Sequence, residues 1–179
     1  VEQEDLWLLD QRPAHSNTLG LAAGQLLGQP LQKLADFQDA GDLDSASARA
    51  EVLLAREPHE PRVLMRLGTL RLLQQRLDDA EALYRRGLEL DPANADWHYN
   101  LALVRGGRGD STGAIQSYRS AIALQPGHRD AHFNLATELH ETDELDEAID
   151  HYRAADAIEP GHRDVLTGQG LALLELDRL

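Results

Sequence analysis

Three short strings in the sequence match patterns that carry catalytic or metal chemistry in other proteins. Residues 109–113 read Gly-Asp-Ser-Thr-Gly, which satisfies the G-x-S-x-G pattern of a nucleophilic serine. Residues 140–144 begin His-Glu, but Glu144 stands where a zinc-binding helix needs its second histidine. Residues 39–44 hold three aspartates without the glycine placement or the bidentate glutamate of an EF-hand. The last two strings are therefore interpreted as acidic turns.

The surroundings of these strings favour a structural role over a catalytic or metal-binding one. A nucleophilic serine of this kind sits on a strand-to-helix turn, whereas residues 109–113 lie between two predicted helices. The eight histidines include His98 and His132 at equivalent positions, but no third ligand at suitable spacing accompanies them. The sequence therefore predicts no catalytic residue, no metal site and no cofactor, and it does not predict an enzyme.

Composition narrows the class of partner. The chain has 179 residues and a net charge of −14, with 31 acidic and 17 basic side chains and no cysteine. An acidic chain is poorly suited to a phosphate backbone, so we expect no nucleic acid partner. No apolar run approaches the roughly 20 residues of a membrane span, and no signal peptide is visible. Both the cytoplasm and the periplasm stay open as locations.

A repeat of 34 residues organises most of the chain. Its columns include Pro58, Pro92, Pro126 and Pro160; Ala46, Ala80, Ala114 and Ala148; and Tyr84, Tyr118 and Tyr152. In window 95–128, apolar residues recur at helical spacing on both sides of the glycine-rich segment 106–109, which predicts a helix pair. One pair cannot bury its apolar faces alone, so the windows must stack. The predicted fold is all-α, a right-handed superhelical solenoid of antiparallel helix pairs.

The repeat also sets the predicted boundaries. Residues 1–26 form an N-terminal extension or capping helix, and residues 27–60 a degenerate repeat. Full repeats follow at residues 61–94, 95–128 and 129–162, and residues 163–179 form the first helix of a truncated repeat. We expect that last helix to leave leucines half covered, which would fit a fragment of a longer protein or a contact with another chain. The leucines concerned are Leu171, Leu173 and Leu174.

These columns resemble the tetratricopeptide repeat (TPR) family, in which small residues, an aromatic residue and a closing proline recur over 34 residues. Leu67, Gly68, Ala80, Tyr84 and Pro92 match that pattern well. Arg71 and Arg105 depart from it, because they occupy a position where the family usually has tyrosine. The resemblance implies a protein–protein interaction scaffold whose first helices line an inner, partner-binding face.

The predicted partner-binding residues occupy places 2, 5 and 6 of successive windows, on one stripe of each first helix. They are Arg62, Met65 and Arg66; Asp96, Tyr99 and Asn100; and Asp130, Phe133 and Asn134. The same stripe continues through Thr137, Asp164, Thr167, Gly168 and Leu171. We expect arginine to pair with acidic side chains and the aromatic residues to supply apolar contact.

Asn100 and Asn134 share one column and support two interpretations. Their amides could hydrogen-bond the backbone of an extended peptide, as in the similar asparagine ladder of O-linked N-acetylglucosamine transferases. They could equally hydrogen-bond a neighbouring helix. Arg66 and Gly168 interrupt the ladder in the adjoining windows.

The resemblance leaves the partner open. Family members that bind chaperone tails use a clamp with two cations, and the corresponding places here include Met65, Thr69 and Asp130. That specific function is therefore not expected. The function predicted is a scaffold that holds an extended peptide or a partner helix. Two alternatives are the recruiting or regulatory region of a larger enzyme, such as a glycosyltransferase, and a unit that self-associates through residues 1–26 or the C-terminal end.

Overall fold

The computed structural model describes residues 43–177. Within that range the chain forms eight α-helices and no strand, which confirms the all-α class. The helices are α1 (Leu43–Arg56), α2 (Pro61–Leu73), α3 (Leu77–Leu90), α4 (Ala95–Gly107), α5 (Ser111–Leu124), α6 (Arg129–Glu141), α7 (Leu145–Ile158) and α8 (Arg163–Leu176). The extension 1–26, the first part of window 27–60 and most of the aspartate-rich string 39–44 lie outside the described residues.

The described chain divides into two compact units, residues 43–93 and residues 94–177. The first unit contains α1 to α3, and the second contains α4 to α8. Windows 61–94, 95–128 and 129–162 each hold one pair of helices, and α8 begins at the next window. No helix among these residues is long and apolar enough to cross a membrane.

Small residues let the two helices of a pair approach closely. In the first unit, Gly68 of α2 faces the ring of Tyr84 on α3, and a Cβ at position 68 would lie 2.9 Å from its Cζ. In the second unit, Ala102 and Ala114 are fully buried where α4 meets α5. Ala136 and Ala148 are fully buried where α6 meets α7. These columns are therefore packing positions first.

The turn between paired helices has the same design in three windows. Gln75, Gly109 and Asp143 occupy equivalent places, and each has a positive φ, at 60°, 78° and 66°. The residue after each of them donates its backbone N–H to a carbonyl five residues earlier, at 2.8 to 3.0 Å. This is the hydrogen bond of a Schellman motif, which closes the carbonyl end of the first helix.

The two arginines that depart from the tyrosine column are both explained by local bonds. Arg105 on α4 donates from Nη1 to the Ser117 hydroxyl at 2.7 Å and to the Gly113 carbonyl at 3.1 Å, both on α5. Arg71 is buried and bonds the side chains of Gln74 and Glu51. Arginine at this place therefore ties a first helix to its neighbour by hydrogen bonds.

The last described helix is the least covered. Val165 and Ala172 of α8 are fully buried. Leu171, Leu173 and Leu174 are 50%, 36% and 50% exposed, as the sequence predicts, and Leu166 is 47% exposed. The helix thus buries one narrow side and leaves its leucines accessible.

Candidate functional site

The serine string 109–113 lies in a helix-to-helix turn. Gly109 adopts the positive φ of that turn, and Asp110 caps α5 by accepting the Gly113 N–H at 3.0 Å. Ser111 is the first residue of α5 and hydrogen-bonds the carboxyl of Glu138. Within residues 43–177, no group of three His, Asp or Glu side chains is placed to hold a metal ion.

In the first unit, the residues predicted to line the inner face lie on α2. Arg62 is exposed, while Met65, Arg66 and Thr69 are half-buried. Burial lowers the pKa of the Arg66 guanidinium from its usual value. Guanidinium groups pair well with carboxylates, which is the role expected of these two arginines.

In the second unit, Asn134 of α6 fills the space between α4 and α6. Asn134 is 1% exposed, and its Nδ2 donates to the Tyr99 hydroxyl of α4 at 3.0 Å. It also interacts with Tyr118 of α5, whose ring centroid lies 5.9 Å from that of Tyr99. Burial raises the pKa of both tyrosines well above the usual value, so the hydroxyls stay protonated. The bond from Asn134 is the helix-to-helix interaction of the second interpretation.

The groups around Asn100 are more accessible. Asn100 is half-buried on α4 and donates to the backbone carbonyl of Asp96 at 2.7 Å. The imidazole of His128 packs on Tyr99 with ring centroids 4.7 Å apart, and its Nε2 lies 3.6 Å from a carboxylate oxygen of Asp96. Tyr99 is therefore covered, while Asp96 remains exposed at the edge.

A pocket opens between α6 and α8, one repeat beyond the space that Asn134 fills. Phe133 of α6 and Tyr152 of α7 are among its lining residues, with ring centroids 5.9 Å apart, but each of them is only 2% exposed. Gly168 of α8 occupies the place equivalent to Asn134 and contributes no side chain. The pocket has a volume of about 360 Å³. Thr137 also lines it, with its Oγ1 3.4 Å from the Tyr152 hydroxyl.

The rim of this α6–α8 pocket is acidic. Glu141, Asp164 and Glu175 line it, and the ten lining residues include no lysine or arginine. His140 Nε2 lies 2.9 Å from a Glu175 carboxylate oxygen across the opening. Burial raises the pKa of the Glu141 carboxyl, although the residue as a whole is exposed. Of the predicted partner-binding residues, only Phe133 lines the pocket.

Sequence reasoning missed the pocket as a feature. It placed Thr137, Asp164, Gly168 and Leu171 on the inner face but not His140, Glu141, Tyr152 and Glu175. The signal that could have found it is Gly168 in a column that holds asparagine in the two preceding windows. A Cβ at position 168 would lie 2.6 Å from the ring of Tyr152, so glycine at this place makes room for that ring.

The fold is that of a helical-repeat protein, because it has paired helices of fixed length, small residues at recurring packing positions and repeated turns. Proteins of this class serve as interaction scaffolds. Two family profiles, both described as tetratricopeptide repeat, match residues 37–104 and 99–163. The chain belongs to the tetratricopeptide repeat family. Proteins of this family are generally interaction modules rather than catalysts.

Solved structures share this fold. A crystal structure of MamA is 26% identical with a TM-score of 0.71, and the match covers 78% of this chain and 82% of that one. A second MamA structure is 25% identical with a TM-score of 0.67, covering 83% and 81%. The first TPR of Spaghetti (RPAP3) bound to the HSP90 peptide SRMEEVD is 21% identical with a TM-score of 0.63, covering 65% and 93%. None of the curated proteins matches the sequence.

Proposed function

We propose that this chain is a protein–protein interaction scaffold that binds an extended peptide or a partner helix on the inner face of its first helices. The observation that carries the proposal is the open α6–α8 pocket, whose lining combines the 50% exposed Leu171 with the polar side chains of Thr137 and Thr167. Apolar pockets with a few convergent polar groups are the usual form of a ligand site.

The fold supports the same proposal. The RPAP3 structure holds a short peptide on a TPR domain of the same fold. That peptide, SRMEEVD, is rich in acidic residues. The α6–α8 pocket has an acidic rim, so we do not extend this partner to the present chain.

The inner-face residues take different roles in the proposal. Arg62 and Arg66 pair with acidic side chains of a partner, and Asn100 contacts peptide backbone. Asp96 and Asp130 contribute charge at the edge. Tyr99, Phe133 and Asn134 are 8% exposed or less, so they support the face from beneath more than they contact a partner.

A random-peptide display selection against the immobilised chain tests this function without a known partner. Selected peptides are then synthesised and their affinities measured by calorimetry. We expect Asn100→Ala to weaken binding about three- to tenfold, because it removes one hydrogen bond to the peptide.

The matched control is Gln116→Ala, which removes an exposed amide from the second helix α5. It should leave the affinity unchanged. A selection that enriches no peptide, or peptides that lose equal affinity in both variants, would contradict binding on the inner face.

A further inference from the structure

Two histidine rings meet where α6 packs against α7 in the second unit. The Nδ1 atoms of His132 on α6 and His151 on α7 lie 2.9 Å apart, and the ring centroids lie 5.2 Å apart. His132 is 8% exposed and the His151 side chain is 21% exposed, so the pair lies at the margin of the helix contact. Nitrogens this close need a hydrogen or a cation between them, because each otherwise presents a lone pair.

The other nitrogen of each ring faces an oxygen that can only accept a hydrogen bond. Nε2 of His132 lies 3.0 Å from the Pro126 carbonyl oxygen, so it carries a proton. Nε2 of His151 lies 3.6 Å from a carboxylate oxygen of Glu147. Both Nε2 atoms are therefore placed to donate, and the two Nδ1 atoms are left facing each other.

This arrangement has no fully satisfied form with two neutral histidines alone. If both Nε2 atoms donate, two Nδ1 lone pairs oppose each other. If His151 carries its proton on Nδ1 instead, its Nε2 lone pair faces the carboxylate of Glu147. An added proton would satisfy both rings, but burial lowers the pKa of each imidazole and opposes that proton near neutral pH. A metal ion bound by both Nδ1 atoms would satisfy both rings without it.

The acceptors around the pair are those of a metal site. A histidine that binds a metal usually donates its second N–H to a carboxylate or a backbone carbonyl, which orients the ring. The Pro126 carbonyl and the Glu147 carboxylate provide one acceptor of each kind. Arg119 Nη2 lies 2.7 Å from Glu147 Oε1, and this bond holds the carboxylate beside His151.

We propose that His132 Nδ1 and His151 Nδ1 bind a divalent transition-metal ion that joins α6 to α7. Imidazole suits Zn²⁺, Ni²⁺ and Cu²⁺, whereas Mg²⁺ prefers oxygen ligands. No group of three His, Asp or Glu side chains within residues 43–177 is placed to hold the ion, so water completes the coordination.

Binding requires only small changes at the pair. Two nitrogens on one tetrahedral Zn²⁺ lie about 3.3 Å apart, so the two rings separate by about 0.4 Å. Where neutral His151 carries its proton on Nδ1, that proton moves to Nε2 and is donated to Glu147. The charge of each histidine stays the same.

Calorimetric titration of the chelator-treated chain with Zn²⁺ at pH 7.5 tests the ligands. His151→Gln should weaken the tightest Zn²⁺ site at least about tenfold, because one of two protein ligands is lost. His59→Gln removes an exposed histidine of the first unit and should leave that affinity unchanged. An unchanged affinity in His151→Gln, or equal losses in the two variants, would overturn the site.

A second pair of variants tests the role of Glu147 as a positioning residue. Glu147→Gln should weaken Zn²⁺ binding about tenfold, because the His151 ring loses its charged acceptor. Asp146→Asn removes the same charge from the adjacent exposed position and should have little effect. Equal losses would show that general acidity, and not this contact, attracts the ion.

NMR of the imidazole nitrogens identifies the ligand atoms in the unaltered chain. Zn²⁺ should shift the Nδ1 signals of both His132 and His151 and leave both Nε2 atoms protonated, and Mg²⁺ at the same concentration should shift neither. A Zn²⁺ shift confined to one ring, or coordination through an Nε2 atom, would contradict the proposal. These measurements use no peptide, so their outcome is independent of the proposed function.

Discussion

Asn134 and Asn100 occupy equivalent places but meet different surroundings. Asn134 is buried between two helices and bonds the Tyr99 hydroxyl, whereas Asn100 is half-buried and bonds its own helix. Removing a buried hydrogen-bonding partner leaves the remaining polar group unsatisfied, which is more costly than losing a bond at the surface. Asn134 is therefore expected to contribute more to the stability of the fold than Asn100 does.

Asn134→Ala should lower the free energy of unfolding by about 1–3 kcal/mol, because the Tyr99 hydroxyl loses its buried donor. Asn100→Ala should lower it by less than about 1 kcal/mol. Urea unfolding of the two variants and the parent chain measures both values. Equal losses in the two variants would show that Asn134 does not stabilise the helix contact.

A second residue-scale feature is a pair of histidines on facing helices. The Nδ1 atoms of His132 on α6 and His151 on α7 lie 2.9 Å apart, and His132 Nε2 lies 3.0 Å from the Pro126 carbonyl oxygen. Burial is the main cause that lowers the pKa of each imidazole. The neighbouring His128 also lowers the pKa of His132. Arg119 lowers the pKa of His151, whereas Glu147 raises it.

Stability should therefore fall as the medium becomes acidic. Because the folded pKa values lie below the ordinary histidine value of about 6.5, the unfolded chain takes up protons first as the pH falls. The free energy of unfolding is fully present above about pH 6.5 and decreases below it. Urea unfolding between about pH 7.5 and pH 5.5 should show a weaker decrease for His151→Gln than for the parent chain. His59→Gln, an exposed control in the first unit, should keep the parent slope, and equal slopes in all three chains would refute the role of the pair.

Two of the turns between paired helices hold a residue other than glycine in the left-handed conformation, which strains the backbone. Gln75 and Asp143 have φ values of 60° and 66°, a region that glycine adopts more easily than residues with a Cβ. Gly109 occupies the equivalent place in the intervening window with a φ of 78°. The same turn is thus built once with glycine and twice without it.

We expect Gln75→Gly and Asp143→Gly each to raise the free energy of unfolding by about 0.5–1 kcal/mol, because glycine relieves the left-handed conformation. Gly109→Ala should lower it by about 1 kcal/mol for the same reason. Gly127→Ala serves as the control, since Gly127 has no positive φ. Thermal unfolding of the four variants gives the comparison. A lower free energy of unfolding in Gln75→Gly and Asp143→Gly would show that these turns are not strained.

The helices and their packing columns were the parts of the fold most open to prediction from sequence. Prolines spaced by 34 residues and recurring Ala and Tyr mark where each helix pair begins, packs and ends. Burial was harder to predict, because Tyr99 and Asn134 lie on the inner stripe yet are covered by their neighbours. Arg105 is similar: its bonds to α5 depend on a serine in the next helix that no periodicity indicates.

At the scale of the whole molecule, acidity is unevenly distributed. The net charge is −14, but windows 61–94 and 95–128 are close to neutral, while window 129–162 has ten acidic and two basic residues. The Arg62 and Arg66 face and the α6–α8 pocket therefore present opposite charges. If the proposed function holds, we expect the charge of a partner to contribute to its selection.

Amide NMR of the chain with a selected peptide tests most directly whether partners bind on the inner face. We expect shifts in α4, α6 and α8, centred on Asn100, Thr137 and Gly168, with little change in the outer residues of α5 and α7. We also expect the affinity to fall as salt is added, because charge pairs contribute to binding. Shifts confined to α5 and α7, or binding that leaves all first helices unchanged, would contradict the inner face as the binding site.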